Sequence, residues 1–136
     1  MRPLALDTNA YTAFKRGDAN VLAALRQADT LLVSVTVLGE LLAGFAAGNR
    51  EAVNREELSR FLASPRVRLA PATTATADLY AVVYAALRRK GSPIPSNDLW
   101  IAASALEHGA ALLSFDAHFG QIDGLHVGTR REDFLP

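Results

Sequence analysis

Leu4-Ala5-Leu6-Asp7-Thr8-Asn9 sets three apolar residues directly against an acid, a hydroxyl and an amide. A run this short, ended by residues that favour helix N-caps, reads as a buried strand feeding a helix. Similar short apolar runs recur at Leu31-Leu32-Val33, Val67-Arg68-Leu69, Ala111-Leu112-Leu113 and Leu125-His126-Val127, each bounded by polar, Gly or Pro residues. Between them lie longer segments with helical patterning: 9–27 with a break at Gly17-Asp18, then 36–48, 51–63, 74–90 and 98–108. Strands alternating with helices predict an α/β domain whose sheet is mostly parallel and has about five strands. Gly48 and Gly109 suit helix C-terminal positions, and Gly91-Ser92-Pro93-Ile94-Pro95 cannot continue a helix. No repeat, linker or low-complexity stretch interrupts the pattern, so residues 1–136 read as one domain.

Composition narrows the class. Half of the residues are hydrophobic, and 14 basic side chains balance 14 acidic ones, which excludes a disordered chain and a surface basic throughout. There is no cysteine, so disulfide scaffolds, thiolate zinc sites and cysteine nucleophiles are excluded. Three apolar residues before Asp7 are too few for a secretory core, and the run from Leu31 to Leu42 is broken by Ser34, Thr36, Gly39 and Glu40. The expectation is a cytoplasmic protein with no membrane segment.

Two helices carry more than packing information. Segment 98–108 is apolar nearly all round (Leu99, Trp100, Ile101, Ala102, Ala103, Ala105, Leu106) and should be buried. On segment 36–48, Val37, Leu38, Leu41, Leu42 and Phe45 form one stripe. Glu40 projects about 130° away from it, among the small residues Thr36, Ala43, Gly44 and Ala47. A carboxylate so placed leaves room for a ligand. The stripe itself reads either as core or, where the sheet leaves part of it uncovered, as a groove for an amphipathic helix.

Asp7, Glu40, Asp98 and Asp116 occupy equivalent topological places. Each follows a strand or lies near the start of a helix, although they are 33, 58 and 18 residues apart. In a parallel sheet all such positions lie along one edge, the edge at which open α/β sheets bind ligands. Any one of these acids could simply cap a helix. Together they would repel one another unless a hard divalent cation joined them through oxygen, as Mg²⁺ or Mn²⁺ does. No lysine or arginine adjoins Glu40, Asp98 or Asp116. With four acids given over to metal, 14 basic residues face 10 acidic ones elsewhere, a balance that suits a rim meeting phosphates. Lys15-Arg16, Arg88-Arg89-Lys90 and Arg130-Arg131 are the rim candidates, and each also reads as an ordinary solvated helix end.

The Leu-Asp-Thr-Asn opening, the glutamate in Val37-Leu38-Gly39-Glu40-Leu41-Leu42-Ala43-Gly44, the Asn97-Asp98-Leu99-Trp100-Ile101-Ala102-Ala103 block and Leu113-Ser114-Phe115-Asp116-Ala117-His118-Phe119 resemble PIN-domain ribonucleases. Within that family the chain is most similar to VapC-type toxins of toxin–antitoxin pairs, from about Ala5 to Val127. The resemblance implies a three-layer α/β/α fold and hydrolysis of RNA phosphodiesters with Mg²⁺, for which Mn²⁺ substitutes. It also implies products with 5′-phosphate and 3′-hydroxyl ends, and a metal site built from Asp7, Glu40, Asp98 and Asp116. Thr8, Asn9 and Ser114 match the family's small supporting polar residues. Implied partners are an RNA substrate, a cognate antitoxin whose C-terminal segment fills the active-site groove, and a second copy in a homodimer.

Some PIN domains carry a further acid where this chain has Ala117 and His118. His118 is expected to serve a small helical turn, His108 to meet a helix C-terminus, and His126 has no assigned role. In the mechanism expected, Asp7, Asp98 and Asp116 bind the principal metal, and Glu40 orients or deprotonates the attacking water or helps hold a second metal. No His-Glu-x-x-His, P-loop or Gly-x-Gly-x-x-Gly motif competes with this reading. The alternatives are a non-catalytic α/β regulatory module with a Mg²⁺-binding acidic pocket, a PIN-like interaction scaffold and a phosphatase. The first lacks a lysine after the Ala111–Leu113 strand, the second should have lost acids, and the third wants Asp-x-Asp where Asp7-Thr8-Asn9 stands.

Overall fold

Strands β1 (Leu4–Leu6), β2 (Leu31–Ser34), β3 (Val67–Ala70), β4 (Ala111–Leu113) and β5 (Val127–Gly128) form one sheet in a computed structural model, which describes residues 2–136. All four pairings are parallel, and the strand order is β3-β2-β1-β4-β5. Every residue of β1, β2 and β4 is buried. Strands shielded on both faces need a helical layer on each side, which accounts for their uninterrupted apolar sequences. On the edge strand β3, only Val67 and Ala70 are buried.

Helices α1 (Thr8–Lys15), α2 (Ala19–Gln27), α3 (Val35–Ala47), α4 (Glu51–Leu62), α5 (Thr74–Lys90) and α6 (Ser96–Glu107) complete the three-layer α/β/α fold with two 3-10 turns, Ala117–Gln121 and Arg131–Phe134. Local chemistry sets most of their starts. Asp7, Asp18 and Ser34 accept from backbone N–H groups at the heads of α1, α2 and α3, and Thr73 and Thr76 form a reciprocal capping box on α5. Gly91 ends α5 in the left-handed region at φ 71°. The expected burial of the helix carrying Asp98 holds for Leu99, Ile101, Ala102, Ala103 and Ala105, while Trp100 and Leu106 are half-buried.

Two element starts move by two residues. Helix α6 opens at Ser96, two residues before Asp98, because Pro95 supplies extended backbone (φ −58°, ψ 149°) at the position before the helix. Asp98 therefore sits inside the first turn and caps nothing. Strand β5 begins at Val127, since the Leu125 N–H turns back to the Ile122 carbonyl at 3.4 Å and pairing with β4 starts at the His126 carbonyl. A three-residue apolar run cannot fix register by itself. No helix among the described residues is long and apolar enough to cross a membrane.

The C-terminal tail folds back over β5. The Asp133 carboxylate accepts from the Thr129 and Arg130 N–H groups at 2.8 and 3.0 Å, and His126 Nε2 meets the Asp133 carbonyl at 2.5 Å. Gly128 is required under this strap, because a Cβ there would stand 2.4 Å from Asp133 Cβ. Gly128→Ala is expected to lower stability by about 1–3 kcal/mol through this overlap, read by chemical denaturation. A variant as stable as the parent would show that the tail does not press on β5.

Candidate active site

Strand β1 is the point at which the chain reverses its progress across the sheet. The chain moves outward through β2 and β3 on one side, then returns to place β4 and β5 on the other. Loops leaving β1 and β4 therefore diverge above the sheet and open a crevice at its C-terminal edge. Asp7 leaves β1 into that crevice, and Ser114 and Asp116 leave β4 on its opposite wall. The Asp7 N–H extends the ladder to the Leu113 carbonyl at 3.0 Å.

The four predicted acids meet here, linked by hydrogen bonds through their neighbours in the chain and across the crevice. The Ser114 hydroxyl donates to Asp7 Oδ2 at 2.7 Å and accepts from the Asp116 N–H at 3.0 Å. Thr8, next to Asp7, donates through Oγ1 to Glu40 Oε1 at 2.5 Å. Asn97, next to Asp98, donates through Nδ2 to Glu40 Oε2 at 3.2 Å. His118 joins two of the acids, with Nδ1 at 2.8 Å from Asp98 Oδ2 and 3.1 Å from Asp116 Oδ1. Asn9 braces the outer wall by accepting from the Phe115 N–H at 3.2 Å.

Electrostatics match the crowding. Asp7 is 5% exposed and Asp98 9%. Burial holds the Asp7 carboxyl above the usual carboxylate range; the Ser114 and Thr8 hydrogen bonds oppose the shift, and repulsion from Asp98 and Glu40 adds to it. Burial also raises Asp98, against the His118 hydrogen bond and with repulsion from Asp116 and Glu40. His118 is held above the ordinary imidazole value, chiefly by its bond to Asp98. Among the described residues no lysine or arginine pairs with Asp7, Glu40, Asp98 or Asp116.

Ligand atoms from Asp98, Asp116 and His118 all lie within 4.8 Å of one another. Asp7 and Glu40 face the same crevice outside this tight group. The role foreseen for His118 is thus incomplete: its backbone does serve a small turn, donating to Asp116 Oδ1 at 2.9 Å, but its ring joins the carboxylates. The signal was its two-residue spacing from Asp116, which in a tight turn capped by that acid points both side chains the same way. His108 ends α6 as expected, its Nδ1 2.9 Å from the Ser104 carbonyl, while the His126 ring belongs to the tail.

The rim candidates separate. Thr73 and Thr76 at the start of α5 donate to Glu107 at the end of α6, so the two helices run antiparallel and Arg88-Arg89-Lys90 lie toward the Asp98 end. Lys90 is already engaged, donating to the Gln121 carbonyl at 2.8 Å and Asp123 at 2.6 Å. Lys15 pairs with Glu57 at 2.8 Å. Arg131 lies with Arg26 and Gln27 beside the end of α2 that leads into β2, at the opposite edge of the sheet from the acids.

Comparison with known proteins agrees with this geometry. The PIN domain family matches residues 4–125. The chain is 31% identical over 97 residues to Ribonuclease VapC4 of Mycobacterium tuberculosis, covering 71% of this chain and 75% of that one. It is 31% identical over 113 residues to Ribonuclease VapC2 of Rickettsia felis, covering 80% and 83%. Its fold superposes on the crystal structure of VapBC2 from Rickettsia felis bound to a promoter DNA fragment with a TM-score of 0.82 at 25% identity, over 93% of this chain and 97% of that chain. VapC20 of Mycobacterium tuberculosis, a toxin that cleaves the sarcin-ricin loop, gives 0.61 at 25% identity over 86% and 92%. A parallel sheet ordered β3-β2-β1-β4-β5, four acids gathered at its central crevice and these relatives lead to one conclusion: the chain belongs to the PIN-domain family, among the VapC ribonucleases.

Proposed function

We propose that this chain is a metal-dependent endoribonuclease, the toxin of a toxin–antitoxin pair, and that Asp7, Glu40, Asp98 and Asp116 build its catalytic centre. The observation that carries this reading is the ring of four carboxylates, two of them buried, with no lysine or arginine among the described residues paired with them. A receiver-like regulatory module has less support, because no lysine reaches the ring. The donor set is mostly hard oxygen, which fits Mg²⁺ or Mn²⁺. When bound, such a cation supplies charge neutralisation to the pentacovalent phosphate and lowers the pKa of the attacking water. Glu40 is the residue best placed to take that water's proton. Each of its oxygens holds one hydrogen bond, from Thr8 or Asn97, which fixes the carboxylate plane and leaves lone pairs toward the crevice. Asp7, Asp98 and Asp116 would hold the cation directly or through water.

The antitoxin surface follows from α3. Val37 and Leu41 are buried, whereas Leu38, Leu42 and Phe45 are only partly covered. Phe45 also lines a cleft of about 390 Å³ with Tyr11, Lys15, Arg16 and Arg50. A partly covered apolar stripe running into a cleft suits an amphipathic antitoxin helix, and an arginine carried from it into the acid ring would block the site by charge-assisted pairing.

Purified free of antitoxin and incubated with total RNA, the protein is expected to cleave with Mg²⁺ or Mn²⁺ and not with chelator. Asp98→Asn should reduce the rate by at least about a hundredfold, the scale of losing one electrostatic stabiliser. Metal-independent cleavage, or full activity in Asp98→Asn, counts against the proposal. Replacing Leu42 by Asp should weaken antitoxin binding by at least about tenfold, since it charges an apolar anchor. Native affinity from a folded variant sinks the groove.

Burial of Asp7 gives a third test. Its folded pKa lies above its unfolded one, so the folded state holds the proton more tightly and stability falls as pH rises through the raised value. At pH 7 the ionised carboxyl therefore destabilises the metal-free protein. Asp7→Asn, which keeps an N-cap side chain, should melt about 3–5 °C higher in chelator, for a gain on the order of 1 kcal/mol. The gap should close as pH falls into the carboxylate range. Thermal melts of the two proteins against pH decide it; a lower melting point for Asp7→Asn at pH 7 would mean that internal hydrogen bonds already offset the charge.

A further inference from the structure

Among the described residues His118 contributes the imidazole that meets the acid ring, and its position is specific. Its Nδ1 stands 2.8 Å from Asp98 Oδ2 and 3.1 Å from Asp116 Oδ1. Ligands on adjacent corners of an octahedron, each about 2.1 Å from its centre, stand about 3.0 Å apart. The nitrogen thus already stands from both oxygens at the spacing of neighbouring ligands on one small divalent ion, and ligand atoms of all three residues lie within 4.8 Å of one another. In the metal-free state a proton on Nδ1 bridges the nitrogen to the carboxylates. With that proton moved to Nε2, the neutral ring presents a lone pair from the same place.

Backbone geometry supports the arrangement from behind. The His118 N–H donates to Asp116 Oδ1 at 2.9 Å, and the 3-10 turn that follows buries Phe119 completely. At the end of that turn and just beyond it, Lys90 ties down the Gln121 carbonyl and Asp123. The His118 side chain is 49% exposed, so core packing does not explain why the ring points inward to Asp98. A ring held only to orient Asp98 would have no need of a second carboxylate at ligand distance.

We propose that His118 is a direct nitrogen ligand of the catalytic divalent ion, and that it moves the site's preference away from Mg²⁺ and toward Mn²⁺ or another first-row transition ion. The chemistry is one of ligand type. Mg²⁺ is a hard ion that takes oxygen and gives up its waters reluctantly, whereas imidazole nitrogen favours softer divalent ions. Asp98, Asp116 and His118 form a mixed oxygen and nitrogen set that an all-carboxylate centre would lack. The inference rests on the metal-dependent reading above and refines it.

Binding alone can test it. Chelator-stripped, antitoxin-free protein is titrated with Mn²⁺, bound ion is counted by electron paramagnetic resonance, and pulsed spectra are searched for coupling to directly bound ¹⁴N. Mg²⁺ affinity is measured by competition against the bound Mn²⁺. Wild type is expected to bind Mn²⁺ with a ¹⁴N signal that is absent from His118→Ala and His118→Asp. The ratio of Mg²⁺ to Mn²⁺ dissociation constants should fall by about tenfold or more in His118→Asp, which restores an all-oxygen set. Because the side chain is half exposed, both variants should fold, and far-ultraviolet circular dichroism checks that they do. Bound Mn²⁺ with no nitrogen coupling, or an unchanged selectivity ratio, overturns the role of His118 while leaving the carboxylate centre standing. Failure of wild type to bind Mn²⁺ overturns both.

Discussion

The parallel pairing of β1 with β4 is the contact on which the site depends. It brings together residues 107 positions apart and ends in two bonds that are already part of the active centre: the Asp7 N–H to the Leu113 carbonyl and the Ser114 hydroxyl to Asp7 Oδ2. The first fixes where β1 stops, and the second fixes how its terminal carboxylate points. A buried acid at the end of a central strand is costly unless its oxygens are satisfied. Here one oxygen caps α1 through the Thr8 N–H and the other takes the Ser114 hydroxyl. The same hydroxyl accepts the Asp116 N–H, so one small side chain positions acids on both walls of the crevice.

Much of this was legible in the sequence, for a definable reason. Strands buried on both faces must be apolar throughout, so Leu4–Leu6, Leu31–Val33 and Ala111–Leu113 stand out even at three residues. Once the sheet is parallel, every strand exit falls on one edge, and Asp7, Glu40, Asp98 and Asp116 converge there whatever the strand order. The order itself, β3-β2-β1-β4-β5, was not readable, because nothing local distinguishes a strand that neighbours β1 from one that neighbours β3. Yet that order is what turns an acidic edge into a crevice, by placing the reversal between Asp7 and Asp116.

What escaped the sequence depended on side-chain reach across that crevice. Periodicity placed Glu40 on an open side of α3, but its two fixing partners, Thr8 and Asn97, come from α1 and α6 and are identified only by the assembled fold. Thr8 was expected in support through family resemblance; Asn97 was not. The rim charges show the converse limit. Lys15 and Lys90 read as rim candidates or as solvated helix ends, and both are spent on structural pairs, with Glu57 and Asp123. Arg131 is removed by topology, since the tail leaves β5 and packs back toward α2. Local sequence reports that a residue is charged and surface-bound; the edge of the sheet it decorates is a property of the whole chain.

The 3-10 turn after β4 shows how one local rule serves the fold and the site together. Asp116 caps that turn by accepting the His118 N–H, an ordinary device for starting a short helix. The cap draws Asp116 Oδ1 over its own turn, and His118, two residues on, then stands beside the same oxygen. Ala117 between them is exposed, whereas Phe119 beyond them is fully buried and anchors the turn to the core. The spacing Asp-x-His-Phe is therefore constrained at three positions of four, by a cap, a ring contact and a core anchor. An added or deleted residue within it would leave the cap intact or the anchor intact, but not both. A turn that also carries ligand atoms holds them with the stiffness of the core, which is the pre-organisation a metal site needs before any ion arrives.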